Sequence, residues 1–97
     1  MTAPQSELEA LDKLCDVAQF EEENRKLIEL EKTYPEDVEV LWRLARSWFN
    51  IAETKPDPEW QKKHFALSLE VVNRGMKLND NYYAIHKWFA IATSSGF

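Results

Sequence analysis

Cysteine is nearly missing from this chain: Cys15 is the only one in 97 residues. That excludes an internal disulfide and fits a reducing compartment. Glycine is almost as scarce. With only Gly75 and Gly96 present, there is no glycine-rich loop to cradle a phosphate. Together with four prolines, this disfavours turn-rich β architectures. No apolar run approaches the roughly 18 residues that a membrane-spanning helix needs. The opening residues Met1 to Ser6 carry neither a basic stretch nor an apolar one, so no secretory leader is expected and nuclear or cytosolic residence is. Of the two histidines, His64 and His86, neither has a cysteine or carboxylate at metal-ligand spacing. Catalysis and a resident cofactor have no motif to rest on, and the chain reads as non-enzymatic.

What the chain does have is acid, aromatics and helical periodicity. The net charge is −5, unevenly spread. Residues 1–40 carry twelve acidic against four basic side chains, a balance of −8, and residues 41–97 carry five against eight, a balance of +3. The acidic half repels nucleic acid, so none is expected as a partner, while the second half can meet an acidic partner locally. Aromatics make up 12% of the chain, four of them Trp. Their large buried area per side chain offsets the thin core of so short a domain.

Five helices are predicted. Ser6 reads as the N-cap of the first, with Glu9 completing a capping box. Leu8, Leu11, Leu14, Cys15 and Ala18 then recur at helical steps. A short break at Gln19-Phe20 leads to a second helix over 21–34, with Glu21, Glu22 and Glu23 at its positive end. Pro35 stops it. The third helix starts near Asp37 or Val38 and runs to about Glu53, with an apolar arc wide enough for packing on two sides. Thr54-Lys55-Pro56-Asp57-Pro58 is the one clear loop. There Asp57 is the predicted N-cap and Pro58 the first residue of a fourth helix over 58–78, with Trp60, Phe65, Leu69, Val72 and Met76 on its inner stripe. Asn79-Asp80-Asn81 turns the chain into a fifth helix over 82–93, which Ser94-Ser95-Gly96 ends.

These helices repeat. Ala10-Leu11 and Leu14 recur 34 residues later as Leu44-Ala45 and Trp48, the tetratricopeptide spacing. Leu44-Ala45 recurs 45 residues later as Phe89-Ala90, and the same offset links Phe20 to Phe65, Leu27 to Val72 and Pro35 to Asp80. The second unit is thus a first unit with 11 extra residues at the Pro-Asp-Pro loop, where repeats tolerate insertion. Small residues such as Ala45 and Ala90 let paired helices approach closely. Glu23 and Ser68 occupy positions where a strict tetratricopeptide consensus has a small alanine. The expected fold is all-α: tetratricopeptide-like helical hairpins, two helix pairs plus one additional helix, forming a single domain over 1–97. A five-helix bundle with chance periodicity is the alternative. The unpaired last helix, with Trp88, Phe89 and Ile91, predicts either a fragment of a longer repeat domain, which is favoured, or self-association through that face.

Two strings carry a more specific resemblance: VEVLWRLARSWFNIAE from Val38 to Glu53, and NDNYYAIHKWFAI from Asn79 to Ile91. With KTYPEDVEV and the expanded loop after Glu53, they resemble the regulator of microtubule dynamics family over about residues 7 to 97. The resemblance implies a cytoplasmic, non-catalytic protein of the cytoskeleton, spindle and spindle pole, acting in chromosome segregation with tubulin or another spindle protein as partner. Some family members sit at organelle membranes, so a lipid or membrane-contact role stands as an alternative. A peptide-binding adaptor is another.

The first helix of each pair should line a concave surface. That puts Trp42, Arg43, Arg46 and Asn50 of the third helix, with Lys87 of the fifth, in a candidate partner groove. Arginine forks hold carboxylates at two points and Trp offers a stacking plate, so an acidic peptide such as a glutamate-rich tubulin tail is the matching ligand. The competing reading has Arg43 and Arg46 pairing internally with acids of the first helix, such as Asp12 or Asp16. A second candidate basic surface is Lys55, Lys62 and Lys63 around the inserted loop, beside Trp60. The overall charge of −5 counts against tight binding to an acidic lattice.

Overall fold

The computed structural model describes residues 2–94, and within them the chain forms five α-helices and no strand. They are α1 (Gln5–Asp16), α2 (Phe20–Thr33), α3 (Val38–Ala52), α4 (Pro58–Leu78) and α5 (Tyr83–Thr93). Consecutive helices pack as hairpins, α1 on α2 and α3 on α4. The second helix of the first pair lies against α3, and α5 adds to α3 and α4. The arrangement is that of helical repeats, with α3 at the centre and packed on both sides, as its wide apolar arc predicted. Val40, Leu41, Leu44, Ala45, Ile51 and Ala52 of α3 are all buried.

Local chemistry explains most of the boundaries. The Asp37 carboxylate accepts from the Glu39 amide at 3.0 Å and starts α3. Its other oxygen accepts the Ala3 amide at 2.7 Å, pinning the extended residues ahead of α1 to the α3 terminus. Asp57 accepts from the amides of Glu59 and Trp60 and Pro58 opens α4, as predicted. The start of α1 differs from expectation. Pro4 is the N-cap and no side chain caps the helix, so Ser6 lies inside the first turn. The predicted stop at Ser94-Ser95-Gly96 falls partly outside the described residues.

Ala18 also departs from the sequence reading. It is not the last residue of the α1 stripe but the left-handed residue that ends the helix, with φ of 59°. Its amide bonds the Cys15 carbonyl at 3.0 Å and the Gln19 amide bonds that of Leu14 at 2.9 Å. These two bonds are the Schellman termination, which ordinarily uses glycine. Alanine is the strongest helix former, so nothing in its identity signals this role.

The repeat seams rest on small residues. The Ser68 hydroxyl of α4 donates to the Ala45 carbonyl of α3 at 2.8 Å, a contact that requires close approach of the two helices. Gly75 serves the α4–α5 seam, because a Cβ there would overlap Cδ1 of the buried Ile85. The buried face of α4 is therefore His64, Phe65, Ser68, Val71, Val72 and Gly75, with the predicted Leu69 and Met76 only half-buried. Phe49 joins the layers above, its ring centroid 5.0 Å from Phe65 and 5.7 Å from Trp88.

The left-handed Ala18 yields a direct prediction. Ala18→Gly removes the Cβ clash of that conformation and is expected to raise stability by about 1 kcal/mol, read in urea denaturation. An unchanged or lowered midpoint would contradict the termination described.

Candidate functional site

The predicted groove residues of α3 meet the first helix pair in one ionic knot. Helical spacing puts Trp42, Arg43 and Arg46 on the side of α3 that faces α1 and α2. Arg43 grips Asp12 of α1 with both ends of its fork, Nε to Oδ1 at 2.9 Å and Nη2 to Oδ2 at 3.0 Å. Its remaining nitrogen, Nη1, donates to the Glu39 carbonyl at 3.1 Å. Arg46 Nη2 donates to Asp12 Oδ1 at 2.8 Å and to Glu23 Oε2 of α2 at 2.7 Å. The internal pairing expected as one of two readings is thus present through Asp12, and Glu23 joins it.

Trp42 lies beneath both arginines, with the guanidinium carbons of Arg43 and Arg46 at 4.3 and 5.0 Å from its ring. Its indole N–H donates to Glu39 Oε1 at 2.7 Å. The same oxygen accepts the Tyr82 hydroxyl ahead of α5. Burial, then the hydrogen bond to Glu39, pushes the Tyr82 phenol up to about 12. The knot therefore extends from α1 through α2 and α3 to the turn before α5. Asn50, one turn further along α3, donates to Cys15 Sγ at 3.6 Å. Burial pushes that thiol up, away from the thiolate form that reacts. Lys87 stays on α5, its ammonium 5.9 Å from the Trp88 ring. The structure brings Trp42, Arg43 and Arg46 together and sets Asn50 and Lys87 apart from them.

Sequence reasoning missed Glu23 as a participant. It appeared as one of three acids on an exposed helix start, yet it is fully buried. The available signal was its position where the repeat has a small inward residue. One of its oxygens and Nε of Arg46 are buried without a protein partner.

The second candidate surface is different in kind. Lys55 stacks its ammonium 3.9 Å from the Trp60 ring. The Trp60 indole donates to the Ile51 carbonyl at 2.9 Å, so this side chain is half-buried rather than free. Lys62 and Lys63 are exposed. Among the described residues no carboxylate pairs with any of these three lysines, whereas both groove arginines are paired with carboxylates. His64 is buried between the Trp48 and Trp60 rings, and no group of three His, Cys, Asp or Glu among the described residues could hold a metal.

The two carboxylates of the knot respond to acid with opposite signs. Burial acts to raise Asp12, but the hydrogen bonds from Arg43 and Arg46 outweigh it and hold it below the usual aspartate range. Its contribution to stability is present above that range and is lost as pH falls through the lowered folded value. Burial dominates at Glu23 and pushes its carboxyl up against the pull of Arg46. Its ionisation at neutral pH thus opposes the fold, and stability is regained as pH falls through the raised value. Urea denaturation between about pH 7 and pH 4 should show the wild type gaining on Glu23→Gln as pH drops. A difference that does not change with pH would contradict this assignment.

The comparisons with known proteins point to one family. The family model for regulator of microtubule dynamics proteins 1–3 matches residues 8–96. Regulator of microtubule dynamics protein 1 of Pongo abelii is 38% identical over 90 residues, which is 90% of this chain and 27% of the relative. The Bos taurus protein of that name is 35% identical over 88 residues, 88% of this chain and 28% of its own. The Mus musculus protein is 37% identical over 75 residues, 74% of this chain and 25% of its own. The chain thus spans about a quarter of the length of these relatives. No solved structure matches it. Matched along nearly its whole length, the chain belongs to the regulator of microtubule dynamics family.

Proposed function

We propose that this chain is a non-catalytic helical-repeat module that helps regulate microtubules, acting at the spindle during chromosome segregation through contact with tubulin or a spindle protein. The observation that carries the reading is the family match over residues 8–96, whose relatives are named as regulators of microtubule dynamics. The fold supports it by offering stacked helix surfaces and no membrane-spanning helix among the described residues.

Electrostatics favours one contact surface over the other. An acidic partner needs cations that are free to meet it. Arg43 and Arg46 already hold Asp12 and Glu23, and Arg43 is only 6% exposed. An incoming carboxylate would have to displace an internal one from a desolvated site, which gains little. Lys62 and Lys63 are exposed, and Lys55 sits beside them across the loop. The nearest acid of the loop, Asp57, is occupied by the α4 amides. In this reading Lys55, Lys62 and Lys63 meet the acidic partner, and the exposed Lys87 of α5 is a further cation open to it.

Cosedimentation with microtubules tests the proposal. Binding is expected to weaken with salt and on removal of the acidic tubulin tails. The triple variant Lys55→Glu, Lys62→Glu, Lys63→Glu should weaken it by about tenfold. Binding indifferent to salt, tails and this variant would overturn the lysine surface. Absence of binding by the wild type would favour the adaptor alternative.

A further inference from the structure

By the 45-residue offset Phe20, which opens α2, corresponds to Phe65 inside α4. Residues 58–64 of α4 thus have no counterpart in the first pair, and α4 runs to 21 residues against 14 in α2. Lys62 and Lys63 lie on this added stretch, and Lys55 lies in the loop that leads to it. The stretch carries its own supports. Asp57 caps it. The Trp60 indole N–H donates to the Ile51 carbonyl near the end of α3 at 2.9 Å, meeting one of the acceptors that a helix end leaves open. The His64 ring lies 4.1 Å from the Trp60 ring, centroid to centroid, and its Nδ1 donates to the Trp60 carbonyl at 2.8 Å. Trp60 is therefore fixed between the end of α3 and His64. On this fixed ring sits the Lys55 ammonium, 3.9 Å from the centroid. Gln61 Nε2 donates to the Lys55 carbonyl at 3.1 Å, so Lys55 is held at its backbone as well as at its charged end.

We propose that Trp60 is a positioning residue of the lysine surface: its ring holds the Lys55 ammonium ready for a carboxylate of a glutamate-rich peptide, which makes Lys55 the ordered anchor of that contact. The proposal rests on the assignment of the acidic partner to these lysines. A free lysine gives up much rotamer freedom when it binds. Lys55 has given it up beforehand, on the ring type that attracts a cation most strongly. Seating on a ring does not use up the ammonium, which has three donors, and Lys55 remains exposed. Lys62 and Lys63 are placed differently. They have Glu59 one turn ahead of them on the same helix, which tempers their charge, and they add attraction around the anchor rather than a fixed point.

The probe is a fluorescently labelled oligoglutamate peptide, followed by anisotropy against the 97-residue chain. Lys55→Met and Trp60→Leu should each weaken binding about threefold at low salt, and the double variant no more than either alone. Trp60→Phe, which keeps a ring but loses the indole N–H, and Lys55→Arg, which keeps a stacking cation, should stay within about twofold of wild type. Circular dichroism checks that each variant is folded. A second measurement needs no variant. The Lys55 methylene protons beside the ammonium should be shifted upfield by the indole ring, unlike those of Lys62 and Lys63, and should stay so with peptide bound. Tighter binding by Trp60→Leu would overturn the proposal, because the ring would then sequester Lys55. So would a Trp60→Leu loss that persists in the Lys55→Met background, or unshifted Lys55 protons. A wild type that binds no peptide, or binding that survives the triple lysine variant, would instead remove the lysine surface itself and the positioning role with it.

Discussion

The arrangement of the first three helices depends on one ionic knot. Two arginines one helical turn apart on α3 are neutralised by Asp12 from α1 and Glu23 from α2. Helices in a repeat can slide and tilt over an apolar seam, because hydrophobic contact is non-directional. A two-point arginine–carboxylate contact allows one register and one orientation. The knot lies on top of an apolar seam of Leu8, Leu11, Leu27, Leu41 and Leu44, which supplies the burial energy while the knot supplies the geometry. Glu39 carries the same network on to Tyr82, so the start of α5 is referred to the same point.

This placement recasts the concave face. From the sequence alone, arginines beside a tryptophan fit either a recognition surface or internal pairing with acids of α1. In the folded chain they are the joint between helix pairs, and Trp42 is the plate on which they rest. Lys55, Lys62 and Lys63, on α4 and the loop ahead of it, are by contrast exposed and have no carboxylate partner among the described residues. The two roles follow from side-chain chemistry. Arginine forks serve buried, directional pairs, whereas lysines are strongly hydrated point charges suited to an exposed contact.

Much of the fold was legible because its signals are local. Pro58 after Asp57, Pro35 after Tyr34 and the recurring Leu-Ala steps each act within a few residues, and the structure bears out the helices they imply. Ala18 was illegible for the opposite reason: it adopts a left-handed conformation against its own preference. Glu23 was legible only through the repeat, which marks its position as an inward one, because its local sequence is that of the acids beside it. Repeat geometry located Arg43 and Arg46 and offered pairing with Asp12 as one of two readings, and the structure bears that pairing out.

The most direct test of the internal role is side-chain NMR of the arginine Nε–H groups. Arg43 Nε–H is predicted to exchange slowly with solvent and to hold its chemical shift when a glutamate-rich peptide is added, while the Lys62 and Lys63 side-chain signals move. An Arg43 Nε–H that exchanges like an exposed arginine and shifts with the peptide would contradict the account, because the guanidinium would then be free to take the ligand.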